Sequence, residues 1–268
     1  MTMTIIPEPN NDNAKIGPEI VDIQTEGLSF LALSGESKVQ LLPTPWPPQK
    51  LPPPNASLLA TATKRGLVAA VGPDSLILAT TQSVRDAYDG TGPSVGKLKK
   101  FEPQIKMLME TRISQLVFTS DETYLVLSAE TGGGLAVYDV QSLLDGSQQA
   151  LFELPTNGEA LRCIVPNPSP EKGELIALVT AGGDLMIANL KGREYISSPQ
   201  GSVFKKCVSC VSWSTKGKQL VAGLGDGTAF QMTPEGEAKA EIPRPPGIDL
   251  IDHGKCNLIC STVNWLIE

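Results

Sequence analysis

The sequence predicts an all-β fold built from short strands, and three observations carry that reading. Glycine and proline, 25 and 22 of 268 residues, interrupt the chain too often for long elements. Short apolar runs alternate with polar or glycine-bearing turns. The pattern also recurs: Phe118, Val165, Trp213 and Trp265 each fall near the end of a first strand, in steps of 47, 48 and 52 residues. A period of this size, with several short strands per unit, is the signature of a β-propeller of WD40-like type.

The elements follow in order. Residues 1–20 are polar and rich in Pro and Asn, which predicts a flexible tail ahead of a partial propeller domain over 21–268. Leu28–Leu33 and Val39–Leu42 read as a strand-like pair. The run PTPWPP over 43–48, with Pro52, Pro53 and Pro54 behind it, predicts an extended linker on the surface, because proline fixes φ and removes an amide donor. Unit one spans 57–81, unit two 113–140, unit three 161–190 and unit four 208–234, each with an apolar strand, a polar turn, a second strand, a glycine turn and a third strand. A fifth unit opens at Ser261–Trp265, so the chain reads as about four to five blades. Residues 150–154, 194–197 and 238–242 are the candidates for fourth, outer strands.

The stretch Gly223-Leu-Gly-Asp-Gly227 has the glycine density of a phosphate loop, but no helix follows to hold an anion at its amino end. Asp226-Gly227 reads instead as a two-residue type I′ hairpin turn. Gly132-Gly133-Gly134 and Gly182-Gly183-Asp184 stand at the same place in units two and three.

A net charge of −7 disfavours direct nucleic-acid binding, which needs Lys and Arg to replace phosphate counterions, and suits a basic protein partner. No apolar run has the length of a membrane span, and the amino terminus lacks the pattern of a secretory signal. Five cysteines without an export signal read as reduced thiols of an intracellular protein. Cys207, Cys210, Cys256 and Cys260 could be split into a thiolate zinc site. Residues three apart on a strand point to opposite faces, however, so Cys207 and Cys210 read better as small core residues. His253 is the only histidine and reads as a solvated loop residue. No nucleotide, metalloprotease or nucleophile-elbow motif is present, so no cofactor, metal or small-molecule substrate is expected. Trp213 and Trp265 are expected between blades, Trp46 either sealing the underside or docking a partner, and Lys97–Lys100 in a solvated loop.

The segments ASLLATATKRGLVAAVG (56–72), VSWSTKGKQLVAGLGDGTAFQ (211–231) and IPRPP (242–246) together resemble the amino-terminal β-propeller of the large cytoplasmic-filament FG nucleoporins, in their fungal form. The proline-rich LPTPWPPQKLPPP and the irregular unit at 163–168 fit the same resemblance, which covers most of residues 28–247. It implies a seven-bladed, non-catalytic propeller on the cytoplasmic side of the nuclear pore complex in the nuclear envelope. There the family docks the DEAD-box RNA helicase of mRNA export, and it meets other nucleoporins through regions that this chain lacks. Family docking is largely electrostatic and uses an acidic loop after the IPxPP stretch. The resemblance therefore assigns partner binding to Asp249 and Asp252, although the neighbouring GKCNLIC departs from the family pattern. The seven-bladed family continues past the fifth unit, so this sequence reads as a truncated propeller.

Two rival readings remain. A generic WD-like scaffold for another assembly is suggested by Tyr138-Asp139, which ends a third strand as a WD dipeptide would, but the companion GH dipeptide is absent. A propeller enzyme, a lactonase or glycosidase, would place carboxylates on the inner strands. Those read as apolar and small instead.

Overall fold

The computed structural model describes residues 39–89, 102–156, 158–197 and 208–243, together with the backbone of short strands at 23–25, 28–30 and 99–100. Three short strands come first: β1 (Ile23–Thr25), β2 (Leu28–Phe30) and β3 (Val39–Gln40). Blade 1 holds β4 (Leu59–Ala62), β5 (Leu67–Val71) and β6 (Ser75–Thr80). The chain then makes helix α1 (Thr81–Asp89) and strand β7 (Lys99–Lys100) before returning as β8 (Ile105–Leu108). Blade 2 holds β9 (Ile113–Phe118), β10 (Tyr124–Ala129) and β11 (Leu135–Asp139), then helix α2 (Val140–Leu144) and β12 (Phe152–Leu154). Blade 3 is β13 (Leu161–Pro166), β14 (Leu175–Thr180), β15 (Leu185–Asn189) and β16 (Glu194–Ser197). Blade 4 is β17 (Val208–Trp213), β18 (Leu220–Leu224), β19 (Ala229–Met232) and β20 (Ala238–Ile242). Each blade is a four-stranded antiparallel sheet in chain order, and among the described residues the blades do not close into a ring.

Period-two alternation explains how the blades stack. Successive strand residues face opposite sides of a sheet, so a middle strand can serve both neighbours. On β10, Leu125 and Leu127 pack toward blade 1 with Leu116, Phe118 and Leu78, while Val126 packs toward blade 3 with Ile176 and Leu178. On β14, Ala177 and Val179 turn to blade 4 and meet Trp213 and Leu220. These strands are therefore apolar on both faces and read as continuous hydrophobic runs. Trp213 is 5% exposed, and its indole N–H donates to the Val165 carbonyl of blade 3 at 2.9 Å, which bears out its expected place between blades.

At the hub the first strands run side by side. Ser57 N donates to the Ser114 carbonyl at 2.9 Å. The buried Gln115 amide donates to the Asn55 carbonyl at 2.8 Å and to the Arg162 carbonyl at 3.1 Å, which ties three blades together.

A second seam runs through the turns between first and second strands. The Glu122 carboxylate accepts from the backbone N–H groups of Lys64 at 2.9 Å and Arg65 at 2.7 Å, across to blade 1. The Lys64 ammonium donates to the Ser120 carbonyl at 2.9 Å. Ser120 Oγ donates to the Ser169 carbonyl of blade 3 at 3.2 Å, and Asn167 Nδ2 to the Gly217 carbonyl of blade 4 at 2.9 Å. Beside this seam, burial acts to raise the Asp121 carboxyl. Hydrogen bonds from Thr119 Oγ1, Thr123 Oγ1 and Thr123 N outweigh it and hold the group below the ordinary carboxylate range.

Several expectations are corrected. The strand-like segments at 28–33 and 39–42 contain β2 and β3, and among the described residues β2 pairs antiparallel with β1 and β3 in parallel with β7. Lys99 and Lys100, expected in a loop, therefore form a strand, and Lys97 and Leu98 lie outside the described residues. The Asp226-Gly227 turn is not type I′. Only Gly227 has positive φ (83°), Gly227 N donates to the Leu224 carbonyl at 3.1 Å, and Leu224 N to the Thr228 carbonyl at 2.8 Å. That is a three-residue turn closed by a glycine in the left-handed region, with Asp226 Oδ1 accepting from Thr228 N and Thr228 Oγ1 in place of a second positive φ. The fifth unit at 261–265 lies outside the described residues.

Candidate partner-docking rim

In every blade the turn between the second and third strands lies beside the end of the fourth strand. The register states this directly: Leu154, ending β12, faces Leu135 at the start of β11, and Ile242, ending β20, faces Ala229 at the start of β19. The first strands share one direction, as the parallel bridge between Ser57 and Gln115 shows. These turns and the chain segments linking the blades therefore collect on one rim, opposite the Glu122 seam.

Short turns on this rim carry carboxylates because glycine closes the turn and leaves the flanking positions to polar residues. Asp74, in the first of these turns, is exposed, and its carbonyl accepts from Met109 N at 2.9 Å, which brings Glu110 alongside. Glu130 pairs with Arg112 at 3.3 Å. Asp184 and Asp226 follow in blades 3 and 4, Asp226 exposed at its turn. Glu159 sits between the turns of blades 2 and 3. A Cβ on Gly133 would overlap its carbonyl and Thr156 Oγ1, so glycine is required for this close approach, and φ at Gly133 is +65°. Glu159 Oε2 is buried without a hydrogen-bond partner among the described atoms. Against these stand Arg112, committed to Glu130, Arg162, whose guanidinium donates to the Ala181 carbonyl at 3.1 Å, and the exposed Lys50. Among the described residues this rim therefore carries more acidic than basic side chains. Among the described residues no cluster could hold a metal ion, and no helix is long and apolar enough to cross a membrane.

Asp249 and Asp252, assigned to partner binding by resemblance, lie outside the described residues, as do Cys207, Cys256, Cys260, His253 and Trp265. The point from which their segment departs is described: β20 ends at Ile242, on this rim, beside the Asp226 turn. Sequence reasoning missed Asp74, Glu110 and Glu159. The available signal was their recurrence next to turns and blade links, which periodicity alone does not convert into a shared surface. Trp46 is half-buried, with the Arg112 guanidinium 5.6 Å from its ring centroid, which supports sealing over docking for that ring. Cys163 and Cys210 are half-buried on neighbouring first strands. Burial, with the nearby Cys210 adding to it, pushes the Cys163 thiol up to about 11.

Comparison with known proteins agrees with this architecture. The family model described as NUP159/214 beta propeller matches residues 52–268. The chain is 53% identical over 232 residues to Nucleoporin NUP159 of Chaetomium thermophilum, covering 87% of this chain and 16% of that protein. It spans less than a fifth of each curated relative that it matches. Among solved structures, the N-terminal domain of Nup159 superposes with a TM-score of 0.54 at 16% identity, covering 79% of this chain and 50% of the other. Nup159 in a Saccharomyces cerevisiae complex with Dbp5, Gle1, IP6 and ADP gives 0.54 at 14% identity, covering 74% and 46%. At these identities the solved structures establish the fold alone.

Proposed function

The chain belongs to the NUP159/214 β-propeller family, and from that premise we propose that it is a non-enzymatic docking platform at the cytoplasmic face of the nuclear pore complex, where it binds the DEAD-box RNA helicase of mRNA export. Its relatives are nucleoporins, and Nup159 itself was solved bound to the helicase Dbp5. The observation that carries the reading to this chain is the exit of β20. Strand β20 ends at Ile242 on a rim that presents Asp74, Glu110, Asp184 and Asp226, and Asp249 and Asp252 follow Ile242 in the sequence.

Carboxylates gathered on one rim raise the local negative potential, which steers a basic partner toward it and fixes its orientation. Exposed charges of this kind act mainly on the association rate and fade with salt, since the screening length is about 8 Å at physiological ionic strength. Asp252→Asn, alone and with Asp249→Asn, measured by titration against the purified helicase, is the test. The expected result is a raised Kd and a shallower salt dependence. Wild-type affinity and salt response in the double variant would remove those two residues from the interface.

A further inference from the structure

Two cysteines on the hub strands have no part in helicase docking, and the strand register brings them to one seam. Cys163 on β13 pairs with Val179, and Cys210 on β17 pairs with Gly223. In each strand the register shifts just before the cysteine, after Leu161 and after Val208. The two therefore hold the same position in consecutive blades. Gln115 holds it in blade 2, where the register skips Ser114.

Neighbouring blades meet closely at this position. Ser57 of blade 1 and Gln115 form a parallel bridge. Gln115 Nε2 reaches on to blade 3 and donates to the Arg162 carbonyl, directly before Cys163, at 3.1 Å. Strand β17 is held to blade 3 at both ends: Val208 N donates to the Gly183 carbonyl at 3.0 Å, and the Trp213 indole donates to the Val165 carbonyl at 2.9 Å. Cys163 packs against the apolar cluster that blades 3 and 4 share, which includes Val208 and Val211. Cys210 is near enough to help raise the Cys163 thiol. Bridged strands lie about 4.8 Å apart, and a disulfide spans Cα separations of about 4.4–6.8 Å.

We propose that Cys163 and Cys210 form a dithiol site that low-molecular-weight disulfides oxidise to a disulfide, a clasp between blades 3 and 4. Burial keeps Cys163 protonated, which leaves the first attack to Cys210. The Cys210 thiolate attacks one sulfur of the small disulfide and expels one thiol. Cys163 then loses its proton and attacks Cys210 Sγ in the mixed disulfide, expelling the second thiol. Two protein thiols are oxidised by two electrons, and the small disulfide is reduced to two thiols that carry the two protons. The bond ties together strands separated by β14, β15 and β16, so it restricts the unfolded chain and stabilises the folded one.

The experiment incubates the whole chain with oxidised glutathione, or with reduced glutathione as control, and maps disulfides by mass spectrometry after non-reducing digestion. Cys207→Ser/Cys256→Ser/Cys260→Ser keeps Cys163 and Cys210 alone and is run beside wild type, with near-ultraviolet circular dichroism confirming that each chain is folded. The expected result is a Cys163–Cys210 disulfide within one chain, with a melting temperature about 5 °C or more above that of the reduced chain. Adding Cys163→Ser should stop the reaction at a glutathione mixed disulfide on Cys210 and remove that gain. Absence of the linkage in the folded chain, its formation only in urea, pairing between chains, or linkage of Cys163 to Cys207 in wild type overturns the proposal. Linkage without a rise in melting temperature overturns the clasp. Fragment-ion mapping of wild type, which separates Cys207 from Cys210, keeps the test decisive should the serine variants fail to fold.

Discussion

Glu122 is where the fold accepts backbone strain in exchange for a bond between blades. It has φ 59° and is 6% exposed. The corresponding turns of blades 1 and 4 place Gly66 (φ 63°) and Gly217 (φ 64°) in that conformation. A side chain in the left-handed region costs about 1 kcal/mol or more. The carboxylate offsets this by accepting from Lys64 N and Arg65 N at 2.9 and 2.7 Å. Hydrogen bonds to a charged group contribute about 1.5–3 kcal/mol each, toward the lower end here because water can reach the exposed turn at Lys64 and Arg65. Glu122→Ala keeps the strain and loses both bonds, so it should destabilise by about 2–4 kcal/mol. Glu122→Gly loses the same bonds but relieves the strain, and should cost about 1 kcal/mol less than the alanine variant. Glu122→Gln keeps one acceptor oxygen and should cost least. Urea denaturation of the three variants measures these differences. An alanine variant within about 0.5 kcal/mol of wild type, or a glycine variant less stable than the alanine variant, would refute the reasoning.

The remaining predictions concern two turn glycines, a thiol and the contact between Arg112 and Trp46. Gly217→Ala should be far more damaging than Gly66→Ala. Both have positive φ, but a Cβ on Gly217 would overlap Asn167 Oδ1, whereas one on Gly66 would meet only Thr81 Oγ1 at 3.5 Å. Thermal melts should therefore show a small loss at Gly66, of about 1 kcal/mol, and a several-fold larger one at Gly217. Cys163 should react slowly with a thiol reagent at pH 8, because burial keeps it protonated up to about 11. Its folded pKa is raised above the ordinary value of 9.0, so its contribution to stability is complete below pH 9 and is lost as pH rises toward 11. Cys163→Val should flatten stability across that interval, and an unchanged alkaline profile would contradict the assignment. Arg112→Ala should free Trp46 and red-shift its emission, measured as a difference against Trp46→Phe, while lowering stability by only about 1 kcal/mol since the Glu130 pair is partly exposed. Arg112→Lys should fail to restore the emission, because an ammonium cannot both cover the ring and reach the Lys50 carbonyl.

Local chemistry made much of the fold legible. Strands β9 to β11, β13 to β15 and β17 to β19 fall where apolar runs and turn glycines place them, and β16 and β20 coincide with the outer strands expected at 194–197 and 238–242. What stayed hidden depends on partners far away in sequence. The fourth strand of blade 1 follows α1 and β7, so spacing gave no sign of it. The parallel pairing of Val39 with Lys99 joins segments whose own patterns are neutral. Glu122 looks like an ordinary turn carboxylate until blade 1 lies against it. The rim carboxylates belong to separate turns, and only the common direction of the first strands brings them to one surface.

The central claim is that an acidic rim docks a helicase, and the most direct measurement is a titration of the monodisperse 268-residue chain with the purified mRNA-export DEAD-box helicase at low and high salt. The account predicts binding that weakens steeply as salt rises. Absence of binding by the folded chain at low salt, or binding indifferent to salt, would contradict it.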